Sequence, residues 1–194
     1  MRNLIIGEFI SLDGIIQAPG GVDEDRDGGF EQGGWTLPYW HDDIGSFFIE
    51  TMKDCDSFLL GRRTWQTHGA AFDPLPPGDA FGDIMNGMKK YVVSSTLKSA
   101  SLWRNSTIIG HDVVEEVRRI KSLPGKSIYL DGSSVLAHCL FEHDLVDYVH
   151  LLVYPLLLGQ GKKLFPEGKR QVLKLVESRS FPTGVILLRY SARA

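Results

Sequence analysis

Short apolar runs that alternate with amphipathic helical segments are the feature that most constrains the fold of this chain. The runs have the length and composition of β-strands and cover residues 3–11, 57–60, 90–94, 106–110, 127–130, 146–154, 173–181 and 184–192. Helical periodicity covers residues 39–53, 63–71, 113–122 and 133–143. Because strands that alternate with helices need crossover connections, this order predicts a largely parallel sheet with helices on both faces.

The last two runs depart from this alternation. They meet at Pro182-Thr183-Gly184, a turn signal that predicts an antiparallel hairpin. We therefore predict a three-layer α/β fold with a mixed, mostly parallel central sheet and a C-terminal antiparallel hairpin. A chain of 194 residues is long enough for one domain that buries roughly 70% of its unfolded surface. We predict a single domain over residues 1–194.

Composition narrows the classes of partner. With 43% hydrophobic residues, 23% charged residues and a net charge of -3, the chain is globular and not basic enough for nucleic acid to be its main partner. No stretch approaches the roughly 18 apolar residues of a membrane span. Cys55 and Cys139 lie far apart and outside any CxxC pair, so neither a disulfide framework nor a zinc site is predicted. We expect a cytoplasmic protein that acts on a small molecule.

Two long segments, 17–34 and 72–87, are rich in Gly, Pro and Asp. Loops of this length in a compact domain are often functional, so we place the mouth of a site there. Residues 23–34 match the first half of a calcium loop. However, Gly34 stands where that loop requires a glutamate and no helical segment precedes it. We predict no metal.

Polar residues follow the predicted strands where ligands bind in open α/β sheets. The stretch FLLGRRTW, residues 58–65, ends a strand at Gly61 and begins a helix at once with Arg62 and Arg63. Free N–H groups at a helix start, together with two guanidinium groups, form an anion site. The simpler alternative is that both arginines are solvated and Trp65 belongs to the core.

Two further strands end in the same way. Ser94 and Ser95 follow residues 91–93, and Asp131-Gly132-Ser133-Ser134 leads from a strand into a helix. Serines at such positions are usually helix caps, so each stretch alone is a weak signal. Together the three strand ends predict a trough for a ligand with several phosphates.

These stretches carry a resemblance to a known family. GRRTW, VVSST, LDGSS and SLDGII, with VYPLLLGQGKKLF at residues 153–165, resemble the dihydrofolate reductase-like superfamily. The most similar branch is the one related to the C-terminal reductase domain of the bifunctional riboflavin-biosynthesis deaminase-reductase. The resemblance covers nearly the whole chain in the right order. It implies a dihydrofolate reductase-like fold, NADPH as cofactor and, since the family is often dimeric, a homodimer.

The resemblance also assigns roles to residues. Arg62 and Thr64 hold cofactor phosphates, and Gly61 allows their close approach. Ser94 and Ser95 lie near the adenosine 2′-phosphate, which favours NADPH over NADH. The turn that approaches the pyrophosphate contains Gly132, Ser133 and Ser134. With Arg63 from the same turn as Arg62, these are the predicted cofactor-binding residues.

The catalytic end of the site is less fully matched. GGWTLPYW, which contains Trp35, resembles a folate reductase segment in which an acid follows two residues after the proline. Trp40 occupies that place here, and Asp42 and Asp43 follow. Asp13, at the end of the first strand, is the other candidate for a substrate-side carboxylate, although an Asp-Gly pair also forms turns.

We therefore predict an NADPH-dependent reductase that transfers a hydride to a small heterocyclic or carbonyl substrate, either pterin-like or similar to a riboflavin precursor. Asp13 and Trp35 are its predicted catalytic residues. The alternative is a non-catalytic domain that binds a nucleotide or a pterin on the same fold.

Overall fold

The protein is described by a computed structural model over residues 1–192. Its strands are β1 (Leu4–Ser11), β2 (Cys55–Gly61), β3 (Lys89–Val93), β4 (Ser106–Ile109), β5 (Ser127–Leu130), β6 (Tyr148–Tyr154), β7 (Lys174–Ser180) and β8 (Ile186–Ser191). Its α-helices are α1 (Asp42–Lys53), α2 (Arg62–Phe72), α3 (Ala80–Gly87), α4 (Val113–Ser122) and α5 (Ser134–Glu142). Short 3-10 turns lie at Asp27–Gly29 and Leu37–Tyr39.

A single 8-stranded sheet has the order β4-β3-β2-β5-β1-β6-β8-β7. All pairs from β4 to β6 are parallel, whereas β8 is antiparallel to both β6 and β7. The predicted mixed, mostly parallel sheet with a C-terminal hairpin is therefore confirmed. The hairpin turn is Pro182 to Gly184, where the amide of Gly184 donates to the carbonyl of Phe181 at 3.0 Å.

Helices cover both faces of the sheet because side chains alternate along each strand. On one face, Leu4 and Ile6 of β1 belong to a cluster with residues of α4 and α5 such as Val117 and Leu140. On the other face, Ile5 belongs to a cluster with residues of α1, α2 and α3 such as Met52, Trp65 and Met85. These two layers of helices confirm the predicted three-layer architecture.

Helix α3 lies within the segment 72–87, which we predicted to be a loop. Two glycines lower its intrinsic helix propensity. Tertiary packing outweighs this cost: Met85 is buried, and the rings of Phe81 and Phe48 stack 5.7 Å apart. Asp79 caps the helix by accepting a 2.7 Å hydrogen bond from the amide of Gly82. The prediction of a loop here was wrong for residues 80–87.

The long apolar segment 145–159 is explained within the subunit, since β6 lies between β1 and β8 and is mostly buried. A homodimer stays a prediction. Within residues 1–192, no helix combines the length and the apolar composition that a membrane crossing requires.

Candidate functional site

Three strand ends meet at the carboxyl edge of the sheet. The amide of Gly61 donates to the carbonyl of Gly132 at 3.3 Å, and Gly61 is also the register partner of Val93, directly before Ser94. A Cβ atom on Gly61 would lie 2.5 Å from Oγ of Ser133. We call the ends of β2, β3 and β5 with the residues that follow them the phosphate corner. Its predicted convergence is confirmed.

Gly132 occupies the tightest position of this corner. Its φ of +74° is a conformation that side chains disfavour, and a Cβ there would lie 2.7 Å from Oγ1 of Thr64. The peptide bond between Gly132 and Ser133 is cis. Glycine is therefore required both by the backbone conformation and by the contact with Thr64.

Two helix N-termini face this corner without the usual acidic residues. Helices α2 and α5 have no side-chain cap and no acid in the first turn. By contrast, α1, α3 and α4 each carry an acid in the first turn. Because helix N-termini attract negative charge, the missing acids leave this place to an anion from outside the chain. The chemistry of the corner fits a polyphosphate group.

The two arginines of the corner have different surroundings. Nη1 of Arg63 lies 2.6 Å from Oδ2 of Asp27, and Nζ of Lys162 lies 3.0 Å from the same atom. Arg63 therefore fastens the segment 17–34, whereas Arg62 is exposed and has no ion pair with another residue of the described chain. The hydrogen bond from Lys162 has the largest effect on the pKa of Asp27 and lowers it, and the hydrogen bond from Arg63 lowers it further. Of these two arginines, Arg62 is the one without an ion pair within residues 1–192.

The hydroxyl groups of the corner also differ. Oγ of Ser94 accepts hydrogen bonds from the amides of Thr96 and Leu97 at 3.3 and 3.0 Å, so it closes the turn after β3. Ser95 is exposed. Ser133 is half-buried and Ser134 is buried. Of the predicted serine pair, Ser95 is the exposed residue and Ser94 the buried one.

A cluster of titratable residues lies beside the corner, and sequence reasoning missed it. Nε2 of His68 and Oδ2 of Asp131 are 2.8 Å apart, with the two side chains 17% and 28% exposed. Oε1 of Glu8 accepts a 2.9 Å hydrogen bond from the amide of Gly132. We call His68, Asp131 and Glu8 the acidic cluster. The available signal was Glu8, the sole charge in the apolar run LIIGEFIS.

Burial and mutual repulsion set the protonation of this cluster. Burial raises the pKa of Glu8 well above its ordinary value, and the Asp131 carboxylate adds to the effect. Burial alone would lower the pKa of His68, but the charge and hydrogen bond of Asp131 together raise it. Glu24, from the segment 17–34, raises both pKa values further. The Asp131 carboxylate thus favours the protonated form of His68 against the opposing effect of burial.

Asp13 lies just after β1, and its carboxylate anchors the loop that contains Leu158 and Gly159. Its Oδ1 accepts from the hydroxyl of Ser11 at 2.6 Å and from the amide of Leu158 at 3.2 Å, and its Oδ2 accepts from the amide of Gly159 at 2.7 Å. The Ser11 hydrogen bond is the main cause of the lowered pKa of Asp13, and burial opposes it. These contacts favour loop anchoring over proton donation, and the catalytic role of Asp13 stays a prediction.

Trp35 is buried in a cluster under the segment 17–34. Its Nε1 donates to the carbonyl of Gln17 at 2.8 Å, and its ring meets that of Tyr154 edge-on at 5.3 Å. Trp40 is half exposed, and Asp42 and Asp43 are exposed in the first turn of α1. The buried residues of α1 include no carboxylate. Helix α1 therefore places no acid in the interior of the described structure.

Two cavities lie away from the phosphate corner. One of about 460 Å³ lies at the opposite edge of the sheet, among residues that include Arg2, Lys126 and His150. Another of about 200 Å³ lies beside Phe141 and Phe165. Neither lining resembles a polyphosphate site, since Arg2 is already paired with Asp56 and the second lining is largely apolar. Within residues 1–192, no three His, Cys, Asp or Glu residues are placed to hold a metal ion.

Comparison with solved structures defines the class of this fold. A protein named for riboflavin biosynthesis from Shewanella sp. PV-4 superposes with a TM-score of 0.69 at 18% identity, over 98% of each chain. Dihydrofolate reductase from Enterococcus faecalis, complexed with NADP(H) and RAB-propyl, gives 0.61 at 18% identity over 97% of this chain and 94% of that one. A pyrimidine reductase-like protein from Corynebacterium diphtheriae gives 0.63 at 14% identity over 98% and 91%. The fold is dihydrofolate reductase-like.

The chain belongs to the RibD C-terminal domain family, whose model matches residues 2–187. A curated relative is the uncharacterized protein YyaP of Bacillus subtilis (strain 168). It is 28% identical over 193 residues, which are 97% of this chain and 94% of that protein. Family membership points to a reductase-type oxidoreductase, as the sequence resemblance implied.

Proposed function

We propose that this protein is an NADPH-dependent reductase that transfers a hydride to a small heterocyclic or carbonyl substrate. The observation that carries the proposal is the phosphate corner, where two helix N-termini without acids meet beside the unpaired side chain of Arg62. Such an arrangement binds an anionic dinucleotide through backbone N–H groups, helix dipoles and one guanidinium group. Family membership supports the same activity class.

The residues of the chain would divide the work of binding. Gly61 and Gly132 let the backbone pack closely on Ser133 and Thr64, and in this proposal these tight turns present their N–H groups to the pyrophosphate. In this proposal Arg62 and the exposed residue Ser95 contact a 2′-phosphate, the group that distinguishes NADPH from NADH. When bound, the dinucleotide supplies the hydride. The protein contributes position, orientation and exclusion of water.

The segment 17–34 is the part of the chain that excludes water in this proposal. It is fastened on one side by Arg63 to Asp27 and on the other by Lys162 to Asp25, at 2.6 Å each. Nε2 of Gln17 adds hydrogen bonds to the carbonyls of Asp25 and Asp27 at 3.1 and 3.0 Å. The contact of Arg63 with Asp27 holds the segment beside α2, the helix that follows β2.

A second candidate function is binding of a nucleotide or pterin without turnover. It is favoured by the exposed positions of Asp42 and Asp43, which leave α1 without a buried acid. It is opposed by the acidic cluster, which provides titratable groups next to the phosphate corner.

Thermal melting separates these proposals from a domain without a dinucleotide site. NADPH at about 100 times its dissociation constant should add about 2.7 kcal/mol to the free energy of unfolding, and NADH at the same concentration should add less. Equal melting temperatures with and without both dinucleotides would contradict the proposal. Oxidation of NADPH in the presence of pterins, flavin precursors and quinones then separates a reductase from a binding domain.

A further inference from the structure

The acidic cluster has a chemistry that dinucleotide binding does not require. Reduction of a C=N or C=O bond needs a proton at the nitrogen or oxygen as well as a hydride at the carbon. Asp13 is ionised and engaged by Ser11, Leu158 and Gly159, and α1 offers no buried acid. A side chain that donates the proton in the proposed reaction is therefore sought among the other residues that border the phosphate corner.

We propose that His68, held in place by Asp131, donates this proton, and that the substrate is a cyclic imine or carbonyl compound whose nitrogen or oxygen faces His68. The inference rests on the proposed function. His68 follows Thr64 by four residues on α2, so both lie on one face of the helix, about 6 Å apart along its axis. Asp131 directly precedes Gly132. Both members of the pair thus border residues of the phosphate corner.

One nitrogen of His68 is held and the other is left for a ligand. Nε2 lies 2.8 Å from Oδ2 of Asp131, whereas Nδ1 makes no hydrogen bond to any residue of the described chain. The ring of His68 meets those of Phe72 and Trp103 at centroid distances of 5.7 and 6.3 Å. The carboxylate and the two rings fix the orientation of the imidazole, and Nδ1–H is the group available for donation.

The charges around His68 favour the protonated ring. Burial lowers the pKa of His68, but Asp131, directly after β5, and Glu24 on the segment 17–34 both raise it, and the net shift is upward. Glu8 can also hold a proton, but it is less accessible to a substrate because it is buried and its Oε1 accepts from the amide of Gly132.

The transfer balances without another reactant beyond the dinucleotide. As the substrate carbon receives the hydride, the double bond breaks and its electron pair moves to the nitrogen or oxygen. That atom takes the proton from Nδ1 of His68, so the N–H bond breaks and a neutral imidazole remains. Water then restores the proton. Asp131 stays ionised throughout and acts as a positioning residue.

The test uses the full-length protein, NADPH, and dihydropterin and phenanthrenequinone as imine and carbonyl probes. The variants are His68→Gln and Asp131→Asn, with His111→Gln as the control because His111 is an exposed histidine paired only with the adjacent Asp112. The pKa of the His68 ring is measured independently by NMR titration, and the dissociation constant of NADPH by fluorescence.

We expect kcat of the parent to fall as pH rises past the NMR midpoint of His68, and Asp131→Asn to move both midpoints to lower pH. His68→Gln should lower kcat about a hundredfold and remove this limb of the pH profile. The NADPH dissociation constant of His68→Gln should stay within about twofold of the parent value. For the control His111→Gln, both kcat and the NADPH dissociation constant should stay within about twofold of the parent values. Should His68→Gln fail to fold, Asp131→Asn provides the test instead: its NMR midpoint and its kcat midpoint should both move to lower pH.

Three results would overturn the inference. The first is a His68→Gln variant with the same kcat and pH profile as the parent, and the second is an NMR midpoint of His68 that does not change in Asp131→Asn. The third is a parent protein that binds NADPH but reduces neither probe. Failure of the parent to bind NADPH contradicts the proposed function instead, and the binding measurement therefore distinguishes the two.

Discussion

Gly132 donates its amide hydrogen to Oε1 of Glu8 across 2.9 Å. Through its carbonyl, the same glycine accepts a hydrogen bond from Gly61 at 3.3 Å. One residue therefore joins the phosphate corner to the acidic cluster. A change at either site reaches the other through the two peptide groups of Gly132.

Glu8→Gln should stabilise the protein at high pH. The folded-state pKa of Glu8 lies well above its ordinary value of 4.5, mainly because the carboxyl is buried. Stability from its proton is complete below the unfolded pKa and is lost as pH rises through the folded pKa. Gln keeps an acceptor for the amide of Gly132 but does not titrate, so the free energy of unfolding near pH 8 should rise by about 1 kcal/mol or more.

Urea unfolding near pH 4 and near pH 8 measures this effect, with the exposed Glu50→Gln as control. A parent and Glu8→Gln that differ equally at both pH values would show that Glu8 does not titrate abnormally.

Gly132→Ala should be more damaging than Gly159→Ala. Both glycines have positive φ, +74° and +77°, so an alanine at either costs about 1 kcal/mol of backbone strain. Only at Gly132 would the new Cβ meet a side chain, Oγ1 of Thr64 at 2.7 Å; at Gly159 it would meet nothing within 4 Å. Thermal unfolding and NADPH titration of both variants measure the difference, and equal losses would contradict the close packing of the phosphate corner.

Arg62→Ala should weaken NADPH binding more than NADH binding. Loss of one charge-assisted hydrogen bond costs about 1.5–3 kcal/mol, or about 10- to 100-fold in the dissociation constant. Arg170→Ala is the control. Arg170 is also exposed. Its neighbour Lys169 has its Nζ 2.9 Å from Oδ1 of Asp144, which follows the C-terminal end of α5, whereas the phosphate corner lies at the N-terminal end of that helix. Isothermal titration with both dinucleotides gives the comparison, and unchanged affinity in Arg62→Ala would remove Arg62 from the site.

Asp13→Asn should lower stability and leave the chemical step intact. The pKa of Asp13 is lowered, chiefly by the hydrogen bond from Ser11, so its contribution is present above the unfolded value of 3.8 and is lost as pH falls through the folded pKa. We expect a lower melting temperature near pH 7 and a kcat within about twofold of the parent. The exposed Asp23→Asn serves as control, and a tenfold or larger loss of kcat would support the catalytic role of Asp13.

Much of the fold could be predicted because apolar periodicity and crossover rules act over short distances in the sequence. The strand ends at Gly61 and Gly132 were predictable for the same reason: a strand, a glycine and a helix start follow one another directly. Helix α3 was missed because its stability comes from contacts such as Phe81 with Phe48, which no local pattern reveals.

The acidic cluster could not be read from the sequence because its members come from three separate elements. His68 is on α2, Asp131 follows β5, and Glu8 is on β1. Only the strand order, with β5 between β2 and β1, brings them together. Likewise, the different roles of Arg62 and Arg63 depend on where Asp27 lies after folding, which two adjacent arginines in a sequence do not indicate.

The position of β8 between β6 and β7 has a consequence for synthesis on the ribosome. Strand β7 emerges first, yet within residues 1–192 its one strand partner in the sheet is β8, to which it is antiparallel. Until residues 186–191 leave the exit tunnel, β7 has no strand to pair with and β6 presents an open edge to other nascent chains. Chaperone contact with this edge is therefore expected late in translation, when the rest of the parallel sheet has already formed.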